Sequence, residues 1–284
     1  MNNPPIIVPV DWTERSLRAL TPARVLAGQL GYEVQVLSII PTDEPEDERR
    51  AELEQEVGQR GIPDAQISVF RDTSTMEGVR GADRRLLEVI ESTPSALVCM
   101  STHARRAAAE IVLGSVASDV LRNSGRPVIL VGPRFSADWT GPLNSIVVCL
   151  DGSAMSEEMI GPAAHLATVA DAELSLIQVL PPSAVHDVVR PDASKTAYVE
   201  RLAAKVAEQH ELSPKWEVLR GDNPARAITE YATTLPGAML AMTTHGRSGL
   251  SRLILGSVAR AVVHDAHCPV MALHPRDGAG GDRR

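Results

Sequence analysis

The sequence predicts an α/β protein of two tandem, doubly wound domains, each a five-stranded parallel sheet with helices on both faces, and three observations carry that reading. Short apolar runs of strand character alternate with longer segments of helical periodicity along the chain. The order of these segments then repeats. His103, Gly114, Ser115 and Pro127 recur as His245, Gly256, Ser257 and Pro269, each 142 residues later, and Asp11 recurs as Asp151, 140 later. The third observation is the stretch Ala238 to Leu273. There an apolar run after Pro236-Gly237 leads into the glycine loop THGRSG, then a helix opened by Gly256-Ser257, then a last strand after Cys268-Pro269. Strand, glycine loop, helix, strand is a parallel-sheet unit whose loop lies at the carboxyl end of a strand.

Ile6 to Val10 is the first strand, closed by Asp11, and Thr13 to Leu30 reads as one helix with Thr13 as N-cap and Leu17, Leu20 and Leu26 near one face. Val34 to Ile40 is the second strand, ended by Pro41. The charged segment Asp43 to Arg60 reads as a solvated helix carrying Leu53 and Val57, and its acidic EPEDE start suits the positive end of a helix dipole. Gln66 to Phe70 is a strand, Arg80 to Glu91 a helix, Ala96 to Met100 the fourth strand and Val128 to Val131 the fifth. In the second half Ile146 to Leu150 is a strand ending in Asp151, Met155 to Ala170 a helix, and Leu174 to Leu180 a strand stopped by Pro181-Pro182. Ala193 to Gln209 is a helix, Trp216 to Leu219 a strand, and Gly221-Asp222-Asn223-Pro224 leads into a helix that runs to Thr233. The expected domains are residues 1–137 and 143–276, with 137–144 as linker and 277–284, DGAGGDRR, as a disordered tail.

At 284 residues the chain is long enough for two domains that each bury a core, and 44% hydrophobic with 23% charged residues is a soluble, globular composition. No apolar run approaches a membrane span, and Met1 to Pro5 has no basic region followed by an apolar one. Cys99, Cys149 and Cys268 make no even disulfide framework and sit in or beside apolar strands, so a cytoplasmic location is expected. A net charge of -8 and only three Trp, three Tyr and two Phe argue against nucleic acid as a partner. A phosphate ligand would then be held by local geometry rather than by the field of the whole protein.

Such geometry is present in the Ala238 to Leu273 stretch. Gly246 and Gly249 let the backbone approach a ligand closely, and the helix start at Gly256-Ser257 offers unpaired N–H groups and the positive end of a dipole. The chemistry suggested is an anion cradle, against the plainer reading that the glycines only permit a tight loop. His245 could contact phosphates or ribose, or simply pack; Arg247 and Arg252 could meet phosphate charge, or be solvated. His264, His267 and Cys268 resemble a metal cluster in spacing, but a helix end accounts for the histidines and a buried strand start for the cysteine, so no metal site is expected. The sequence has no GxxxxGK[ST] loop, HExxH, CxxC or GxSxG, and no catalytic residue is assigned.

These residues resemble the universal stress protein family, whose nucleotide-binding members carry Gly, two residues, Gly, nine residues, then Gly followed by Ser or Thr. Gly246, the nine residues Arg247 to Leu255, and Gly256-Ser257 fit the last two parts of that pattern, and Thr243 stands where it has its first glycine. The resemblance covers nearly the whole chain as two copies and implies Rossmann-like sheets of strand order 3-2-1-4-5. Asp151 and the loop Thr243 to Gly249 would then face each other across one crevice. It further implies an ATP site made by Asp151, Val179, Met242, Thr243, Thr244, His245, Gly246, Arg247, Ser248, Gly249, Gly256, Ser257 and Val258, with any Mg²⁺ held mainly by the phosphates. For Asp151 the competing role is to cap the following helix through the backbone of Ser153 or Ala154. A weaker second site would comprise Asp11, Ile39, Ser101, His103, Gly114, Ser115 and Val116, because Ala104 and Ala107 stand where the second half has Gly246 and Gly249.

The function implied is ATP-dependent regulation or sensing in the stress response; a slow ATPase and a nucleotide-free scaffold are the alternatives. The fifth strands, RPVILV and CPVMAL, are apolar edges in the implied order, so the two halves are expected to pair through them, and a homodimer is compatible with the sequence.

Overall fold

The computed structural model describes residues 4–71, 80–93, 95–102, 113–182, 193–245 and 255–275. The first half contains β1 (Ile6–Val10), α1 (Glu14–Leu17), α2 (Leu20–Leu30), β2 (Val34–Ile40), α3 (Glu46–Gln59), β3 (Gln66–Arg71), α4 (Arg80–Ser92), β4 (Leu97–Ser101), α5 (Ser115–Asn123) and β5 (Val128–Val131). The second contains β6 (Ser145–Leu150), α6 (Ala154–Glu157), α7 (Ile160–Ala170), β7 (Glu173–Leu180), α8 (Ala193–His210), β8 (Lys215–Arg220), α9 (Pro224–Thr233), β9 (Ala238–Thr243), α10 (Ser257–Asp265) and β10 (Val270–Leu273).

Within each half the five strands are parallel, in the order β3-β2-β1-β4-β5 and β8-β7-β6-β9-β10. The two sheets are not separate. β5 pairs antiparallel with β10, in the register Val128↔Ala272, Ile129↔Met271 and Leu130↔Val270, so one ten-stranded sheet runs through the molecule. Both joining strands are short, uncharged and buried at every position, and each supplies the hydrogen-bonding partner that the other's apolar edge lacks. The buried side chains of both halves accordingly form one continuous cluster, with Ile129, Leu130, Val270 and Met271 at its middle. Because the joint is antiparallel, the carboxyl ends of the parallel strands in the two halves face opposite ways, and their crevices open on opposite sides of the joint.

One expectation needs correction. Each first helix is broken in two: Arg18 and Ala19 separate α1 from α2, and Glu158 and Met159 separate α6 from α7. Pro22 and Pro162 are the physical cause. Each lacks the N–H that would bond the carbonyl four residues earlier, at Arg18 or Glu158, yet each is tolerated in the first turn of the new helix. The segment 137–144 connects the halves and is packed against both. It crosses the amino ends of β10 and β9, where Ser136 N donates to His267 O at 3.0 Å and Trp139 Nε1 to Ala238 O at 2.8 Å, and Leu143 is fully buried. Gln29 on α2 holds the same segment from the other half, donating to the carbonyls of Leu143 and Ala170 and accepting from Leu143 N at 2.9 Å.

Immediately after β5 the chain passes under the last turn of α10. A Cβ on Gly132 would overlap the carbonyl oxygen of Val263, so only glycine lets the two backbones approach. Gly132→Ala should therefore lower the stability of the whole chain by about 3 kcal/mol in urea unfolding. Gly28→Ala, inside α2 with nothing within 4 Å of the new methyl group, should raise it by roughly 0.5–1 kcal/mol. Equal effects of the two would refute this account of the joint. Met271→Pro, which removes a ladder donor from β10, should separate the halves or abolish solubility; wild-type solubility and unfolding would count against the pairing.

Candidate functional site

The chain of the second half leaves β6 toward β7 and β8, then returns to the other side of β6 as β9, so the crevice between the ends of β6 and β9 is a topological switch point. Asp151 follows β6, Val179 is half-buried near the end of β7, Met242 and Thr243 end β9, and Thr244 and His245 continue from it. Gly256, Ser257 and Val258 stand at the start of α10, and a hydrogen bond of 2.7 Å from Gly256 N to Thr244 O ties that start to the end of β9. A Cβ on Gly256 would lie 3.2 Å from the same carbonyl, tight enough to push the two apart. Glycine is used here for closeness rather than for an unusual dihedral, since its φ is -62°. Gly246, Arg247, Ser248, Gly249, Arg252 and, in the first half, His103, Ala104 and Ala107 lie outside the described residues, as does the segment 277–284.

Asp151 caps in the way the sequence offered as its second reading. Its Oδ1 accepts from Ser153 N at 2.9 Å and from Ser153 Oγ at 2.6 Å, and Ser153 is in turn the N-cap of α6, accepting from Ser156 N. The turn fixes the carboxylate directly after the carboxyl end of β6, beside the switch-point crevice. Tyr198, a residue sequence reasoning missed, comes from α8 to the same place and donates to Glu157 Oε1 at 3.0 Å. Burial foremost, then the bond to Glu157, pushes its phenol well above the ordinary range, with the charge of Asp151 adding to the effect. Being one of only three tyrosines in the chain was the available signal.

At the end of β9, three consecutive polar residues are buried. Thr243 Oγ1 donates to His245 O at 2.8 Å, and Thr244 Oγ1 lies 3.0 Å from His245 Nδ1. His245 is only 8% exposed, and its Nε2 is buried with no hydrogen-bond partner, one of three such side-chain atoms among the described residues. Another is Gln178 Oε1, in register with Leu150 on β6. An unpaired polar nitrogen beside the amino end of a helix fits an anion approaching from outside.

The first half repeats the frame with different contents. Asp11 accepts from Thr13 N at 3.2 Å and Thr13 Oγ1 at 2.6 Å, Ile39 matches Val179 in burial, and Gly114, Ser115 and Val116 open α5 with the same backbone as their counterparts. Ser101 ends β4, and its Oγ lies 3.4 Å from Val131 O. Where the second half has Gly152 at φ 85°, the first has Trp12 at φ 65°, a conformation uncommon for a bulky residue. The Arg49 guanidinium lies 5.4 Å from the Trp12 ring and is held there by Glu44 and Glu52 at 2.7 and 2.8 Å.

Among the described residues, His264 and the three cysteines are committed elsewhere. His264 Nδ1 is 2.9 Å from Asp265, which also meets Arg134 at 3.5 Å across the joint between halves. Burial raises all three thiols: Cys268 is pushed up to about 11, and Cys99 and Cys149 higher still. Among the described residues, no helix is long and apolar enough to cross a membrane.

The sequence matches the profile of the universal stress protein family twice, over residues 2–132 and 142–274. It is 29% identical over 210 residues to a universal stress protein of Mycobacterium tuberculosis, covering 67% of this chain and 70% of that one. It is 31% identical over 140 residues to one from Methanocaldococcus jannaschii, covering 45% of this chain and 80% of that one. In fold it is similar to the crystal structure of a universal stress protein from Archaeoglobus fulgidus, with TM-score 0.64 and 21% identity over 95% of this chain and 98% of that one. A Pseudomonas aeruginosa protein of unknown function superposes with the same score at 18% identity, over 96% and 93% of the two chains. With the profile matched in each half and the order 3-2-1-4-5 realised in each sheet, this chain belongs to the universal stress protein family, as a tandem of two of its domains.

Proposed function

We propose that the crevice of the second half binds ATP and that the protein acts as a regulatory or sensing protein of the stress response, with nucleotide occupancy as its signal. The observation that carries this is the conjunction at the end of β9: the α10 start held 2.7 Å from the strand end, next to the unpaired, buried Nε2 of His245. Backbone N–H groups of Gly256, Ser257 and Val258, the dipole of α10, and His245 would hold the phosphates, together with the sequence-assigned Gly246, Arg247, Ser248 and Gly249. Asp151, Val179 and Met242 would hold the nucleoside. Mg²⁺ would enter with the phosphates and neutralise part of their charge.

Hydrolysis is not what this arrangement favours. His245 Nδ1 meets the hydroxyl of Thr244 rather than a carboxylate, and its Nε2 is the nitrogen that would hold a phosphate, so neither ring nitrogen is left to activate an attacking water. With ATP and Mg²⁺ in excess, turnover should stay far below the ~10 s⁻¹ typical of enzymes; robust turnover lost in His245→Ala would establish the protein as an ATPase instead. The scaffold reading draws on Thr243, whose side chain occupies the position of the family's first glycine and is bonded to the loop backbone.

The halves are expected to differ. Ala104 and Ala107 stand where the second half has two glycines, at a cost on the order of 1 kcal/mol for each position that needs a positive φ, and a Cβ there would crowd an approaching phosphate. Titration calorimetry should find one tight ATP site per chain. Gly246→Ala should remove most of the binding, and Ala104→Gly should leave it unchanged or raise it. Two equivalent tight sites, or full binding by Gly246→Ala, would sink the asymmetry. Absence of any binding, with no nucleotide released from freshly purified protein on denaturation, would favour the scaffold.

A further inference from the structure

β9 and β10 bring two histidines to one hydroxyl. Thr244 Oγ1 lies 3.0 Å from His245 Nδ1 and 2.9 Å from His274 Nδ1, and the two rings meet edge to face with centroids 5.6 Å apart. Thr244 is fully buried, its N–H is bonded to Leu273 O at 2.8 Å, and its carbonyl accepts from Gly256 N, so the hydroxyl is fixed between the rings. A threonine hydroxyl has one proton to give and two lone pairs to receive with. Two Nδ1–H groups donated to it would leave its own buried proton without an acceptor among the described residues, so the arrangement that uses every atom gives that proton to one bare Nδ1 and takes an Nδ1–H from the other ring. With both rings neutral, His245 and His274 hold opposite tautomers, and the choice made at one is imposed on the other.

The far edge of the His245 ring settles which choice suits a ligand. Its Nε2 is the buried, unpartnered atom beside the start of α10. An anion repels a bare nitrogen lone pair and attracts an N–H. We propose that His274 is a positioning residue for the anion site: His274 Nδ1–H donates to Thr244 Oγ1, Thr244 Oγ1–H donates to His245 Nδ1, and His245 Nε2–H is thereby presented to a phosphate oxygen. The identity of that anion as the phosphate of ATP rests on the proposed function; the coupling of the two rings does not.

The first half lacks the device for a structural reason. Position 132, which corresponds to His274, is glycine, and the carbonyl of Val263 occupies the space that any side chain there would need. Thr102, the counterpart of Thr244, instead places its Oγ1 3.3 Å from Val131 O. The sharing of one threonine between two histidines thus belongs to the second half, the half that also carries Gly246 and Gly249.

The ring ¹⁵N shifts of His245 and His274, recorded near pH ~8 where imidazoles are ordinarily neutral, test the relay in the nucleotide-free protein. Opposite tautomers are expected, and the same tautomer in both rings would overturn it. With ATP added, His245 should be the Nε2–H form. Thr244→Val should uncouple the two spectra and weaken ATP binding about tenfold, and His274→Phe should do the same, whereas Thr244→Ser should restore both. ATP affinity unchanged in Thr244→Val and His274→Phe would overturn the positioning role. If wild-type protein binds no ATP the proposed function falls, and the tautomers of the nucleotide-free protein then decide the relay by themselves.

Discussion

The antiparallel ladder between β5 and β10 joins two apolar four-residue edges that neither half could leave exposed to water. Its consequences reach the candidate sites. Pairing the fifth strands brings the last turn of α10 over Gly132, and the start of that same helix meets the end of β9 at Thr244. A single helix therefore spans from the interface between halves to the candidate anion cradle. The same joint sets the path of the segment after β5, which must cross the amino ends of β10 and β9 before β6 can begin.

Duplicated frames have taken different contents. The Asp-x-Ser/Thr turn after the first strand is the same in both halves down to its hydrogen bonds, because it caps a helix whatever the crevice holds. What differs lies where a side chain meets the mouth of the crevice: Trp12 against Gly152, Ser38 against Gln178, Thr102 with a carbonyl partner against Thr244 with two imidazoles. Capping residues are retained by local energetics, and the residues around them are free to diverge.

The strands were legible because each is a short apolar run bounded by Pro, Gly or a charged residue and because the repeat supplied every element twice, whereas their order came only with the family resemblance. The helix breaks at Pro22 and Pro162 were not, since the apolar spacing continues across them and proline is acceptable in a first turn. The burial of Trp139 and Leu143 was hidden in a segment whose Asp, Gly and Pro content reads as loop. At the site, glycines and the helix start could be found from spacing alone. His274 could not, because its link to Thr244 exists only through the pairing of β9 with β10, thirty residues apart in sequence. Tyr198 and the strained Trp12 were hidden likewise, one by tertiary approach and the other by a dihedral that composition does not reveal.

The central claim is that one cradle, at the ends of β6 and β9, takes the nucleotide, while its copy in the first half does not. Amide hydrogen exchange with and without saturating ATP reads both in the same sample. The account predicts slowed exchange at Thr244, His245 and Gly256 to Val258, with Thr102 and Gly114 to Val116 unchanged. Equal protection of the two sets, or protection confined to the first, would contradict it.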